Sequence, residues 1–459
     1  MRNSFCRVPV PLRRSPADQR IAVLADSDTR WKWGAHTARR LIPSDTPAGH
    51  RITGYLLRGR ATPTARQLGE AGVGADAVPV EVTCAEFLAE LGRERHDVVV
   101  LALVGGAVQA VLHGARALWP EPSARPVFVT GYVGVVYEKL ADGLLLRHGA
   151  DLVLANSRHD AERFRAVYAG VGADPDAVTE TALPFLEGAP YEPAGTGTHR
   201  VVFAVQPSVP ESRADRAYLL ERAAGHARLH PDREVLVKLR SRPGEHTTHL
   251  EEHPYQRLAE RLPGGLPPNC RLVYGHMGEV LDGTDLLVTV SSTAALESLH
   301  RGIPTAVLTD LGIREALGNQ HFLGSGCLAS WNQLDAGLLP QGDPAWLAAH
   351  GVPAAGPADP GPDPYARARE RVAGLLAKER LAPVAPYYTA GTAPGYLPGI
   401  LARQHLAPDG TPLPGALRSA DGRSAARRWV RGRLREAARG AYRHGVQRVA
   451  PAIRRLGEL

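Results

Sequence analysis

The stretch 285–308, DLLVTVSSTAALESLHRGIPTAVL, constrains this chain more than any other. Val288, Thr289 and Val290 are β-branched and mostly apolar, as a central strand buried on both faces should be. Ser291, Ser292 and Thr293 follow where a helix must begin. Hydroxyls there are expected to cap the free N–H groups of the first turn and to line an anion site. Glu297 comes about one helical turn after Thr293 and shares its face. Gly302 and Pro304 end the helix and launch a second strand, Thr305 to Leu308. A phosphate at the helix start and a sugar hydroxyl on the Glu297 carboxylate suit this βαβ unit. Serines acting only as caps suit it equally.

The same alternation runs through the rest of the chain. Strands are predicted at Ile21–Ala25, Ile52–Leu57, Asp97–Leu103, Pro126–Thr130 and Gly149–Asn156. Helices are predicted up to Arg40, from Gly105-Gly106 to Leu118, and toward Tyr168. A Pro/Gly/Thr-rich run from Gly188 to His199 precedes a second series. It comprises strands Arg200–Val205, Glu234–Leu239 and Arg271–Tyr274, with helices at Ala214–Leu229 and Tyr255–Arg261. Strands alternating with helices make parallel sheets. The expected class is α/β, with two Rossmann-like domains facing a cleft, at 18–190 and 199–385. After the spacer Gly351–Pro364, a helix from Tyr365 to Lys378 is expected to cross back onto the first domain. Residues 386–420 read as a proline-rich linker and 421–459 as a basic tail.

The net charge of +7 is unevenly placed. From Arg418 to the end stand 12 arginines against three acids, a local +9 that leaves −2 for the rest. Val430, Leu434, Ala438, Tyr442, Val446, Val449, Ile453 and Leu456 fall three or four apart, one apolar stripe among arginines. Pro451 should kink or divide it. Such a helix fits an anionic membrane surface, at roughly 1 kcal/mol per arginine near lipid; packing on the body is the alternative. Nucleic acid is not an expected partner, because no recognition motif accompanies the slightly acidic body. Cys6, Cys84, Cys270 and Cys327 are far apart and form no CxxC pair, which argues for a reducing compartment and against a zinc site. Met1 to Arg20 has no apolar h-region, and no run reaches the roughly 20 apolar residues of a membrane span. A cytoplasmic location, peripheral on the inner membrane face, is expected.

Ligands of open α/β sheets bind beyond the carboxyl ends of the strands. After the first strand come Asp26 and Asp28, either of which can serve as a general base; an Asx turn is the plainer use. Trp31 beside them stacks on a sugar or simply packs. Gly105 and Gly106 permit close backbone approach to a ligand, or only a tight turn. In the second half, Lys238 and Arg240 end a strand with two cations, the charge a phosphate leaving group needs. His276 follows the strand Arg271–Tyr274. No GxGxxG or Walker pattern is present, which counts against dinucleotides and ATP. Asp26-Ser27-Asp28 spells a DxD metal motif in the wrong half, so no metal and no cofactor are expected.

The strand, the Ser291-Ser292-Thr293 turn, the helix with Glu297 and the Gly-x-Pro stop resemble the nucleotide-sugar half of GT-B glycosyltransferases. The nearest flavour is the capsule-type Kdo transferases and relatives that use CMP-activated sugars. The chain as a whole also resembles a bacterial family labelled only "putative glycosyltransferase". The resemblance implies that 18–190 binds the acceptor, a cell-surface glycan or lipid-linked molecule. Asp28 or Asp26 would be its base, with Gly105, Gly106 and Trp31 on the acceptor side. It implies that 199–385 binds a nucleotide-sugar donor, CMP-linked first. Lys238, Arg240, Ser291, Ser292 and Thr293 would hold phosphate, Glu297 ribose, and His276 the ribose or base. Related transferases often carry Lys-x-His-Pro where this chain reads Lys238-Leu239-Arg240-Ser241-Arg242-Pro243, so Arg240 or Arg242 stands for the histidine. Nucleotide-sugar 2-epimerases share the fold but usually carry Gly-Gly at Ser292-Thr293. An epimerase, or a non-catalytic nucleotide-sugar-binding protein, is the alternative.

Overall fold

The computed structural model describes residues 19–42, 51–59, 61–73, 78–135, 139–193, 198–242, 245, 251–353 and 363–416. The expected basic tail, 421–459, and Cys6 lie outside the described residues.

Two all-parallel sheets stand at the centre. The first holds β1 (Arg20–Ala25), β2 (Arg51–Leu57), β3 (Val80–Val82), β4 (Val98–Ala102), β5 (Val127–Gly131), β6 (Leu152–Ala155) and β7 (Val178–Glu180). Their order is β3-β2-β1-β4-β5-β6-β7. The crossovers contain α1 (Asp28–Arg40), α2 (Ala65–Gly69), α3 (Cys84–Arg93), α4 (Gly105–Leu118), α5 (Leu140–Leu145) and α6 (Arg158–Gly170). The second sheet holds β8 (His199–Ala204), β9 (Arg233–Lys238), β10 (Cys270–Val273), β11 (Leu286–Thr289), β12 (Thr305–Leu308) and β13 (Leu328–Ala329), in the order β10-β9-β8-β11-β12-β13. Its helices are α7 (Arg213–Leu229), α8 (Tyr255–Ala259), α9 (Met277–Leu281), α10 (Ala294–His300), α11 (Trp331–Asp335) and α12 (Pro344–Ala349). Both orders are Rossmann-like, so the chain is α/β with two such domains, as the alternation predicted.

The strands are buried because helices cover both faces. Every residue of β4, β5, β11 and β12 is buried, which explains their unbroken apolar runs. Local chemistry starts the helices. Thr64 and Thr83 form capping boxes with Gln67 and Glu86, each satisfying two orphan donors. The short β3, with the α3 that follows it, and β7 were not predicted, although Thr83-x-x-Glu86 is the signature of such a start.

One apolar cluster joins the domains. It runs from Val23 and Trp33 through Leu186 to Val202, Leu287 and Leu299. Helix α13 (Ala366–Leu376) crosses back as expected, and Tyr365 Oη donates to Ala182 O at 2.9 Å. The stretch read as a proline-rich linker behaves differently from that expectation. Residues 381–416 form an arm across the first domain, carrying α14 (Leu397–Arg403). Val384, Leu397, Leu401 and Leu406 are buried in the first domain's core with Val108, Leu112 and Phe164. Arg116 and Arg125 donate to Val384 O and Ala382 O. Its prolines break secondary structure without keeping its apolar side chains from packing.

Candidate active site

Both sheets reverse their strand order in the middle, at β1/β4 and at β8/β11. In open α/β sheets ligands sit outside the carboxyl ends of the strands at such a point. Here the two crevices face each other and enclose a cleft of about 550 Å³. The first domain lines it with the β1–α1 turn (Ser27 to Arg30), Lys32, Gln67 and Glu70 around α2, and Tyr132 to Val135 after β5. The second lines it with Val205 to Val209 after β8, Lys238 to Arg240 after β9, Gly275 to Met277, the Ser291–Ala294 turn, Glu297, and Glu315 to Gly318.

Asp28 opens α1, whose N-cap is Ser27. Its carboxylate meets the Arg240 guanidinium across the cleft, Oδ1 to Nη2 2.5 Å, and Arg240 also contacts Thr29 Oγ1. Burial works to raise the Asp28 carboxyl, but the Arg240 charge, helped by Thr29, outweighs it and holds the group below the usual carboxylate range. Asp26 faces elsewhere. It accepts Val104 N–H at 2.9 Å and pairs with Arg30 at 2.8 Å, so it fastens the start of α4 to the end of β1.

Lys238 is buried, 6% exposed, and Nζ donates to Leu239 O at 2.8 Å. Burial, together with Arg66 and Arg240 nearby, pulls its ammonium down to about 8 against the opposing pull of Glu70. Glu297, on α10, pairs with Lys32 of α1 at 3.1 Å. Lys32 also lies over the Phe185 ring at 4.4 Å. A third interdomain pair joins Arg66 to Glu245.

The hydroxyl turn divides its labour. Ser291 is buried; it donates N–H to Gln206 Oε1 at 3.0 Å and its hydroxyl to Leu317 O at 2.6 Å. Its hydroxyl therefore holds the turn to the Glu315–Gly318 segment and is not free for phosphate. Ser292 Oγ accepts Ala294 N–H at 3.2 Å, the one capping bond of the three. Thr293 sits in helical conformation without a side-chain cap. Its hydroxyl faces Gly134 of the opposite domain, where a Cβ would lie 3.3 Å away. His276 reaches the first domain too: a Cβ on Gly72 would fall 2.5 Å from its Nε2. Burial lowers the His276 imidazole, so it stays neutral near pH 7.

Two acceptor-side expectations are corrected. Trp31 is 2% exposed; it packs beneath β2, with Gly54 leaving room for its ring. It has no face to offer a sugar. Gly105 and Gly106 begin α4 but do not line the cleft; Gly105 faces Leu146 and Arg147, and Ile400 of the arm lies over Gly106.

Several lining residues went unread in the sequence: Lys32, Gln206, the Tyr132–Val135 loop and Glu315–Gly318. Gln206 follows β8 at the switch point, the position that already singled out Asp26 and Asp28. Two buried arginines support the loops. Arg147 donates to Leu103 O, Gly131 O and Gly143 O and lies over the Tyr132 ring at 4.0 Å. Arg216 donates to Gln206 O, Pro207 O and Pro210 O and pairs with Glu251.

Among the described residues, His226, His230 and Asp335 bring metal-type ligand atoms within 4.8 Å of one another. Asp335 is already held by Arg222 and His226, and Arg233 donates to His226. Two arginines make this a hydrogen-bonded joint between α7 and α11, unsuited to a cation. None of the three lines the cleft. No described helix is long and apolar enough to cross a membrane.

A profile of the family described as "Putative glycosyltransferase (DUF6716)" matches residues 21–363. No curated protein matches the chain. Among solved structures it is similar to S. aureus MnaA with UDP (12% identity, TM-score 0.49, covering 78% of this chain and 96% of that one). It is similar to UDP-GlcNAc 2-epimerase from Neisseria meningitidis bound to UDP-GlcNAc (10%, TM-score 0.46, covering 78% and 99%). It is also similar to Anabaena Alr3699/HepE in complex with UDP-glucose (12%, TM-score 0.43, covering 84% and 98%).

Proposed function

The chain belongs to the family described as "Putative glycosyltransferase (DUF6716)", and from that premise we propose that it moves a sugar from a nucleotide-sugar donor to a hydroxyl of a cell-surface glycan or lipid-linked acceptor. The observation that carries this reading is the cross-cleft pair of Asp28 and Arg240. It sets a carboxylate on one wall against phosphate-type cations on the other.

In the proposed reaction the donor phosphate takes Arg240, Lys238 and the Ser292–Thr293 turn, while Glu297 accepts from the ribose. The acceptor hydroxyl gives its proton to Asp28 as its oxygen bonds to the anomeric carbon. The bond from that carbon to the phosphate oxygen breaks, and the nucleotide leaves with its new charge on the cations. Arg240 cannot serve Asp28 and the phosphate fully at once. Donor binding therefore draws off the charge that keeps Asp28 a weak base, and burial then raises its basicity. His276 lies toward the base or ribose. The chemistry is metal-independent in this scheme, and CMP-sugars are the first donors to try.

A thermal-shift screen against CMP, UDP, GDP, dTDP and ADP tests the donor site. One nucleotide is expected to stabilise the protein, and Glu297→Ala to abolish that shift. No shift with any nucleotide would overturn the reading. Conversion of a donor to its isomer without acceptor would point to an epimerase instead.

The tail's composition supports anchoring at an anionic membrane surface. Removing 418–459 is expected to move the protein from vesicle-bound to free in flotation with anionic liposomes; unchanged flotation would refute the anchor.

A further inference from the structure

Outside the cleft, one surface gathers chemistry that the proposed transfer does not use. It lies where the C-terminal arm crosses α4 and α5. Tyr388 and Tyr396 of the arm both donate to Asp142 Oδ1, each at 3.3 Å, and Tyr396 Oη lies 3.4 Å from Oδ2. Their rings stand edge to face with centroids 5.2 Å apart, and Tyr387 continues the series at 5.3 Å. Tyr396 is 42% exposed.

These O–H···O distances are long; such bonds centre near 2.7–2.8 Å. A carboxylate offers about four lone-pair sites, so Asp142 keeps capacity to accept from a partner outside the protein.

The patch also adjoins the cleft. Tyr132 lines the cleft and donates to Leu140 O at 3.4 Å, two residues before Asp142. Arg147 lies over Tyr132 and donates to Gly143 O, one residue after Asp142. The Tyr132 hydroxyl also packs directly against Gly143, so Tyr132 is common to the cleft and to the segment that carries Asp142.

The electron-rich face of a tyrosine ring attracts polarised C–H groups, and a carboxylate accepts from adjacent hydroxyls. A pyranose presents both, one on its face and the other on its edge. We propose that Asp142, Tyr388 and Tyr396 form a subsite for the acceptor glycan, holding a sugar ring behind the one that reacts. The inference rests on the transferase reading above. It assigns the acceptor class as an oligosaccharide or longer glycan rather than a lone monosaccharide.

The test uses the full chain and a printed panel of mono- and oligosaccharides, with nucleotide thermal shift measured in parallel. The wild type is expected to retain oligosaccharides over monosaccharides. Asp142→Asn and Tyr396→Ala should each weaken retention about tenfold, with the nucleotide shift unchanged. Tyr396→Phe, which keeps the ring and drops the bond to Asp142, should retain binding. If Tyr396→Phe loses binding as fully as Tyr396→Ala, the tyrosine only pins the arm and the subsite is refuted. Equal retention by all variants, or a wild type that binds nucleotide but no glycan, also overturns it. A wild type that binds neither fails at the transferase reading, which the nucleotide arm reports separately.

Discussion

The two domains share one strand order but brace their cleft-facing loops differently. In the first, Arg147 gathers three carbonyls and a tyrosine face, with no carboxylate among its hydrogen-bond partners. In the second, Arg216 gathers three carbonyls and adds Glu251. Burial depresses the Arg147 guanidinium and raises the Glu251 carboxyl against the pull of Arg216. The same need, satisfying carbonyls at the ends of parallel strands, is thus met once by a lone buried charge and once by a pair. The difference teaches that loop position in the first domain depends on one side chain, while in the second it is coupled to protonation.

Replacing each arginine would sharpen that contrast. Arg147→Leu orphans three carbonyls and should cost about 3–5 kcal/mol in denaturant unfolding, with little change in that cost between pH 5 and 8. Arg216→Leu leaves Glu251 buried without its cation, so its folded pKa rises further. A carboxyl raised in the folded state stabilises below its unfolded pKa, and that stability is lost as pH rises through the folded value. The Arg216→Leu deficit should therefore grow with pH. Equal pH slopes for the two variants would erase the distinction.

The walls of the cleft differ as well, with the proposed base on one and the proposed phosphate-binding cations on the other. Asp28→Asn should lower turnover roughly 10²–10³-fold while tightening nucleotide binding, because Arg240 is released. If nucleotide binding weakens with turnover, Asp28 is only a strut between domains. A smaller effect concerns Lys238. Its ammonium, at about 8, loses charge as pH rises, so donor KM should rise about tenfold from pH 7 to 9. Lys238→Arg should flatten that profile; an unchanged slope would remove Lys238 from the phosphate site.

The sheets were legible because buried parallel strands must be continuous, β-branched and apolar, and β12 falls on the predicted Thr305–Leu308. The cations Lys238 and Arg240 at the end of β9 were legible from the strand end alone. The Lys32–Glu297 pair was not: its partners are 265 residues apart, and Lys32 looks like an ordinary helical charge. Arg147 and Arg216 were equally hidden, since an arginine bound for the interior carries no local mark among so many at the surface. The arm was misread because proline spacing reports helix breaking, and says nothing of where Leu397 and Leu401 pack. Trp31 illustrates the converse error. Position beside a strand end suggested a ligand, but β2 carries Gly54 to receive the ring.

The arm also sets a sequence in time. The first domain's core closes only when Val384, Leu397 and Leu406 arrive, after the whole second domain has been translated. A nascent chain that has emitted α4 must therefore wait, with the apolar face that α14 will cover still in water. For this molecule, the half that is made first is completed by residues that are made near the end.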